Sequence, residues 1–160
     1  MRWGHKLGEA ALADSIFTDG LTDPVLKIGM GATAEKIAEV FKISRDEQDR
    51  FALLSQQRAA KAGAAFAREL VSIQTAEGRV EKDEAFAAQT LACARELKLS
   101  EAQLNLRGSA IAQGHPIGCS GARVLVTLLH ILEDLDLKRG IAALCIGGGM
   151  GIATAIEREP

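Results

Sequence analysis

The sequence predicts a mixed α/β protein in which a helix-rich segment precedes a short sheet. Three patterns carry this prediction. Ser44 and Glu47 have the S-x-x-E spacing of a capping box and open an amphipathic helix that extends to about Phe66. The run SGARVLVTLLHILEDL, residues 120–135, is apolar around nearly its whole circumference, which predicts a helix buried on most sides. Two strand-like runs, IAALCIGGG and GIATAIERE, close the chain.

The other segments follow from local patterns, taken in chain order. Residues 1–27 carry D-G and D-P turn signals, which predict mostly loop with short helical pieces. A helical pattern begins at Thr33 with TAEKIAEVF. Residues 71–80 alternate around an E-G turn and predict a hairpin, and EKDEAFAAQTLACAREL predicts a helix by its composition. The run LNL, residues 104–106, is a candidate for a short strand.

Composition and charge narrow the classes of function. The chain has 160 residues and a net charge of −2, so it lacks the basic surplus of a nucleic-acid-binding protein. Its apolar runs are too short or too rich in glycine to cross a bilayer as a helix, and the N-terminus lacks the pattern of a secretory signal. We therefore expect a cytoplasmic protein with no membrane partner. Three widely spaced cysteines favour free thiols over disulfides or a metal site, and the one within a helix, Cys93, is expected to pack in the interior.

The first stretch that suggests chemistry is Gly114-His115-Pro116. Proline fixes its own φ and holds the preceding histidine in an extended conformation, while the glycines let other groups approach closely. The side chain of a histidine held in this way is expected to be accessible to other groups rather than packed in the core. Taken alone, a loop histidine is more often a hydrogen-bonded structural residue, and that alternative remains open at this point.

The second such stretch is LCIGGGMG, in which Cys145 ends a strand and directly precedes three glycines. Their N–H groups are able to form a nest for an anion or for a developing oxyanion. A structural turn between two strands is the alternative interpretation. Each of the two signals is weak by itself.

Taken together, these motifs resemble the thiolase family. The ordered set AFAAQ, N-x-x-G-S-A-I-A-x-GHPIG-x-SGAR and LCIGGGMGIA is similar to the C-terminal part of that family, and HKLGEAALADSIFTDGLTDP with MGATAEKIAEVFKISRDEQDRFALLSQQRAAKAG is similar to its loop domain. The resemblance implies an incomplete thiolase-like α/β fold. It divides the chain into a loop-domain-like segment, residues 1–82, and a partial C-terminal domain, residues 83–160.

The resemblance also implies a reaction and the residues that perform it. Thiolases move an acyl group from coenzyme A to an enzyme cysteine and then to a second acetyl-CoA, or cleave a 3-ketoacyl-CoA in reverse; coenzyme A thioesters are substrates, and no further cofactor is expected. By position, His115 matches the catalytic histidine, Cys145 the acid/base cysteine and Gly147 a glycine whose N–H lines an oxyanion hole. Asp83 stands where the family's NEAF motif has an oxyanion-hole asparagine, and its carboxylate would repel an oxyanion.

Two departures from the family pattern weigh against turnover by this chain alone. The family's nucleophilic cysteine precedes the loop domain, and we expect that half to be absent here. Residues RVEKDE run straight into EAFAAQ, so a middle segment is also expected to be missing. Cys119, at a predicted helix N-terminus, is the one candidate for a replacement nucleophile. The alternatives are a non-catalytic remnant, an acyl-CoA-binding polypeptide, or a chain that forms an oligomer or pairs with a partner chain that supplies the missing strands.

Overall fold

The computed structural model describes residues 11–70 and 86–159, and in these ranges the chain is helix-rich with one small sheet. A π-helical turn, Ile16–Gly20, comes first. The α-helices are α1 (Met30–Val40), α2 (Arg45–Lys61), α3 (Ala87–Glu96), α4 (Ala110–Gln113) and α5 (Ser120–Asp134), with short 3₁₀ turns at Ala65–Arg68 and Glu101–Gln103. Strands β1 (Arg139–Gly147) and β2 (Met150–Glu157) form a two-stranded antiparallel sheet. The mixed α/β class is confirmed.

The capping box of α2 forms as its sequence predicts. The Glu47 N–H donates to Ser44 Oγ over 3.3 Å, and the Ser44 N–H donates to the Glu47 carboxylate over 2.8 Å. The reciprocal bonds satisfy donors that a helix N-terminus leaves free. The helix ends at Lys61 rather than near Phe66, because Gly63, a poor helix former, follows. After this glycine the chain forms the 3₁₀ turn Ala65–Arg68.

The helical core lies between α1, α2 and α3. Small alanine side chains on α1 and α3 let these helices approach closely, and Ile43 fills the space where α1 ends. Phe51 is the buried aromatic residue of α2. The helix expected over EKDEAFAAQTLACAREL is confirmed from Ala87 to Glu96 as α3, and residues 81–85 of that stretch lie outside the described residues. Cys93 is exposed on it, so the expectation that this thiol packs in the interior was wrong.

A partly buried ion network joins the end of the first described range to α5. The Arg107 guanidinium contacts Glu69 over 2.9 Å and also binds Asp134, while the Thr127 hydroxyl donates to the second Glu69 oxygen over 2.6 Å. Arg107 and Glu69 are both almost fully buried. Because a buried ion needs its partner, this network fixes residue 69 against α5.

The three expectations about strands have different outcomes. The two closing strands are confirmed as β1 and β2. The strand at residues 104–106 is wrong: Asn105 has a φ of 47°, and the carbonyl that a strand would pair with, that of Leu104, accepts from the Arg58 guanidinium over 2.7 Å. The hairpin expected at residues 71–80 lies outside the described residues.

The prediction of burial for α5 is wrong on one side of the helix. Ile131 and Leu132 are buried, but Val126 is 41% exposed and Leu129 is 44% exposed. Strand β1 covers one side of α5, and within the described ranges the helix makes extensive contacts with no other element. One apolar side of α5 is therefore exposed to solvent.

Candidate active site

The GHP histidine lies in a tight connection between α4 and α5. Gly114 ends α4 with a φ of 87°, a conformation that a residue with a side chain rarely adopts. The Pro116 carbonyl then accepts the N–H groups of Cys119 over 2.7 Å and Ser120 over 2.8 Å, which starts α5. His115 sits between these two fixed points, half-buried beside the helix N-terminus.

One side chain of α5 orients the imidazole. Ser120 is 4% exposed, and its Oγ lies 2.7 Å from His115 Nδ1 and 3.1 Å from the Pro116 carbonyl oxygen. A hydroxyl has one proton, and a carbonyl is able only to accept. Both contacts are satisfied when Nδ1–H donates to Ser120 Oγ and the hydroxyl donates to Pro116. In that arrangement the neutral ring carries its lone pair on Nε2, which is then the ring atom able to accept a proton.

Two further side chains hold the backbone of this loop. Arg123 Nη1 donates to the Gly114 carbonyl over 3.0 Å, and Gln113 Nε2 donates to the Arg107 carbonyl over 2.7 Å. Burial lowers the pKa of Arg123, while the Glu69 carboxylate acts in the opposite direction. The guanidinium keeps its charge. Its hydrogen bond joins α5 to Gly114, the residue directly before His115.

Cys145 lies near the end of β1 with an exposed side chain. It pairs with Gly151, and the register shifts between Cys145 and Gly147. The three glycines of the β1–β2 turn have φ values of 115°, 59° and 78°, so the turn requires residues without side chains. The glycine-rich stretch therefore forms a tight hairpin turn directly after the cysteine.

The packing of α5 against β1 brings the histidine loop and the cysteine to the same end of the molecule. A Cβ added to Gly121 would lie 3.8 Å from the Leu144 methyl, and one added to Gly140 would lie 2.6 Å from the Leu128 methyl. The helix therefore runs antiparallel to the strand, and its N-terminus meets the carboxyl end of β1. Cys145 follows Leu144 and points to the opposite face of the hairpin.

Residues from the first described range, 11–70, also contact the histidine loop and the glycine turn. A Cβ added to Gly20 would lie 3.4 Å from the Ile117 side chain of the histidine loop. In the glycine turn, Gly147 lies against the Met30 methyl and Gly148 against the Pro24 ring, with Cβ distances of 3.8 Å and 3.5 Å. Segments far apart in sequence thus meet around the histidine loop and the glycine turn.

The structure places the four predicted site residues and the candidate nucleophile Cys119 as follows. His115, Cys145 and Gly147 lie at this end of the α5–β1 pair, and no hydrogen bond joins the histidine to the cysteine within the described ranges. Asp83 lies outside the described residues. Cys119 occupies the N-cap of α5, as expected, and is exposed.

Sequence reasoning missed the role of Ser120. Its signal was present in the spacing: Ser120 is four residues after Pro116 and five after His115, which lets a helix-starting serine face back onto the loop. In the part of the chain that the structure describes, no group of acidic, histidine or cysteine side chains is arranged to hold a metal ion. None of the helices in those ranges has the length and apolar character needed to cross a membrane.

Comparison with known proteins identifies the family. A family model described as "Thiolase, C-terminal domain" matches residues 35–158, which is most of the chain. The chain belongs to the thiolase family. It is 32% identical to the cytosolic acetyl-CoA acetyltransferase of Rattus norvegicus and 33% identical to the acetyl-CoA acetyltransferase of Chromobacterium violaceum. These alignments include 99% and 98% of this chain, and each extends over 67% of the relative.

Solved structures agree with this assignment. The acetyl-CoA acetyltransferase of Bacillus anthracis superposes with a TM-score of 0.83 at 26% sequence identity, over 98% of this chain and 66% of that one. The thiolase chain thus spans about two thirds of the length of the relatives that it matches. The rat alignment extends over 266 positions although the chain has 160 residues, so a long internal stretch of the relative has no counterpart here.

Proposed function

We propose that this thiolase chain takes part in acyl transfer between coenzyme A thioesters, and that it supplies the acid–base half of the reaction. The substrates are acetyl-CoA and acetoacetyl-CoA or another 3-ketoacyl-CoA, without a further cofactor. The observation that supports this most is the contact between His115 and Ser120, because it leaves Nε2 as a base in a loop that the family motif predicts. The printed names of the relatives agree with this class of substrate.

The site residues take the following roles in the proposal. His115 Nε2 takes a proton from a thiol and so raises the fraction of thiolate, the form that attacks a thioester. Cys145, exposed at the end of β1, removes the α-proton of acetyl-CoA or returns it during cleavage. The N–H of Gly147 donates to the developing oxyanion. Asp83 at the asparagine position of the hole opposes that stabilisation.

The thiol that carries the acyl group comes, in this proposal, from outside the 160 residues. The chain has three cysteines, and one of them, Cys145, has the acid–base role. Cys93 lies on α3 and Cys119 at the N-cap position of α5, both after the loop-domain-like segment, whereas the family's nucleophile precedes that segment. We also propose that the chain divides into residues 1–82 and 83–160, with the missing stretch of the relatives between them; the rat alignment contains unmatched positions, as such a gap requires.

A second candidate is a non-catalytic role as an acyl-CoA-binding polypeptide or as a partner of another chain. The exposed apolar surface favours pairing, because Ile141 on β1 is 70% exposed and the second side of α5 is uncovered. An oligomer or a partner chain that adds strands to the two open sheet edges would cover this surface. For either function we propose a cytoplasmic location, in agreement with the printed name of the rat relative.

The acid–base proposal is tested by exchange of the acetyl-CoA methyl protons with deuterium, followed by NMR. This readout needs no nucleophilic cysteine. We expect the purified chain to accelerate exchange over buffer, and we expect Cys145→Ala to abolish the acceleration. Cys93→Ala is the matched control, since that thiol is exposed on α3, and it should exchange like the parent.

The other outcomes of this experiment are also informative. Exchange at the buffer rate would remove the acid–base role and leave the non-catalytic candidate. Acceleration that persists in Cys145→Ala would assign the proton transfer to another group.

A further inference from the structure

We infer that Ser55 on α2 is a positioning residue for His115. Ser55 is 4% exposed, and nothing in the local sequence of α2 requires a hydroxyl in this buried place. Its Oγ lies 2.8 Å from Ser109 Oγ and accepts the Ser109 N–H over 2.9 Å. Both contacts join residues that are 54 positions apart, so they fix the start of α4 to the middle of α2.

The backbone at this junction is shaped for close contact. Gly108 has a φ of 87°, and a Cβ placed on it would lie 2.7 Å from the Ser55 carbonyl oxygen. Glycine is therefore required both for the conformation and for the approach of α2. Arg58, one turn further along α2, donates to the carbonyls of Leu104 and Glu101 over 2.7 Å and 2.8 Å. The helix thus binds the segment before the histidine loop at several points.

The contact at Ser55 is transmitted to His115 through a very short helix. Ser109 Oγ accepts the Ile111 N–H and caps α4, which has only four residues. A helix of this length is not stable by itself, so its position depends on its anchors: Ser109 at its start, and the Gln113 and Arg123 hydrogen bonds at its end. The residue after α4 is Gly114, and the next is His115. Movement of the Ser109 anchor therefore displaces the imidazole relative to Ser120.

The inference rests on the proposed function only in that His115 is taken as the acting base. The test is performed on the imidazole itself and needs no turnover. Chemical shifts of ¹⁵N in the full chain report which ring nitrogen carries the proton, and His115→Gln assigns the signal. The parent chain should show the Nδ1–H form, which satisfies both Ser120 contacts. In Ser55→Ala we expect that preference to be lost, with signals shifted toward those of a free imidazole.

The matched control is Ser44→Ala, a serine-to-alanine change at the N-cap of the same helix. It weakens α2 but leaves the Ser55 and Ser109 contacts in place, so the His115 signals should stay at their parent positions. Ser109→Ala is the second variant, for use if Ser55→Ala does not fold, and it should produce a shift in the same direction.

Two results would overturn the inference. One is a parent-like His115 signal in folded Ser55→Ala and in Ser109→Ala. The other is an equal shift in the Ser44→Ala control, which would show that general loosening of α2 is sufficient. Because neither result depends on proton exchange of acetyl-CoA, failure here is distinguishable from failure of the proposed function.

Discussion

Substitution of Gly108 by alanine tests the contact between α2 and the segment that carries the histidine. The new Cβ would lie 2.7 Å from the Ser55 carbonyl oxygen, 3.0 Å from the Ala59 Cβ and 3.1 Å from the Ala59 nitrogen. Two of these atoms belong to the backbone of α2, so relief requires the helix to move. The positive φ adds strain of about 1–3 kcal/mol, and overpacking adds about 1–3 kcal/mol. We expect a loss of at least about 2 kcal/mol in the free energy of unfolding.

Gly118→Ala is the control for this substitution. Gly118 lies on the other side of α4, in the loop before α5; it has no atom within 4 Å of an added Cβ and does not have a left-handed φ. The change should be neutral or stabilising by up to about 1 kcal/mol, because alanine restricts the unfolded chain. Urea unfolding at one fixed protein concentration, followed by far-UV circular dichroism, measures both variants. Equal midpoints for the two variants would refute the close approach of α2 at Gly108.

Three further predictions follow from the fold. Loss of the capping box in Ser44→Ala should cost about 1 kcal/mol and reduce hydrogen-exchange protection in α2; unchanged protection would contradict the reciprocal bonds. The Ser44 N–H lowers the pKa of Glu47, and the Arg107 hydrogen bond lowers that of Asp134. Folded pKa values below the unfolded ones stabilise the fold at neutral pH, and this stabilisation is lost as the pH falls through the folded values. Acid titration in the parent and in Glu47→Gln should therefore show a smaller loss in the variant, and equal losses would oppose this assignment. The uncovered apolar side chains of α5 and β1 predict self-association or dye binding, which sedimentation and a fluorescent dye measure; a monodisperse monomer without dye uptake would contradict it.

The features that the sequence predicted correctly are mostly local. Ser44 and Glu47 are three residues apart, so their pattern reports their contact directly. The strand expected at residues 104–106 does not form, and the contact at this place is not local. Arg58, 46 positions away in sequence, donates a hydrogen bond to the Leu104 carbonyl. The position of His115 in a rigid loop followed from Gly114 and Pro116.

The contacts that orient the histidine were less accessible to sequence reasoning. Ser120 is part of the sequence motif, but the hydrogen bond between its Oγ and His115 Nδ1 depends on where α5 begins. Ser55 gave no signal, since a serine in an amphipathic helix is ordinary and its partner lies 54 positions later. The uncovered side of α5 was also unpredictable from its own pattern, because apolar periodicity describes what a helix can bury and not what is present to cover it.

In our proposal this thiolase chain contributes acid–base residues, and the acyl-carrying thiol comes from elsewhere. Intact-mass spectrometry after incubation with acetyl-CoA measures whether this chain carries the acyl group itself. We predict an unchanged mass, because the proposal gives the role of acyl carrier to none of Cys93, Cys119 and Cys145. A mass increase of one acetyl group that disappears in Cys119→Ser would contradict it and make Cys119 the nucleophile.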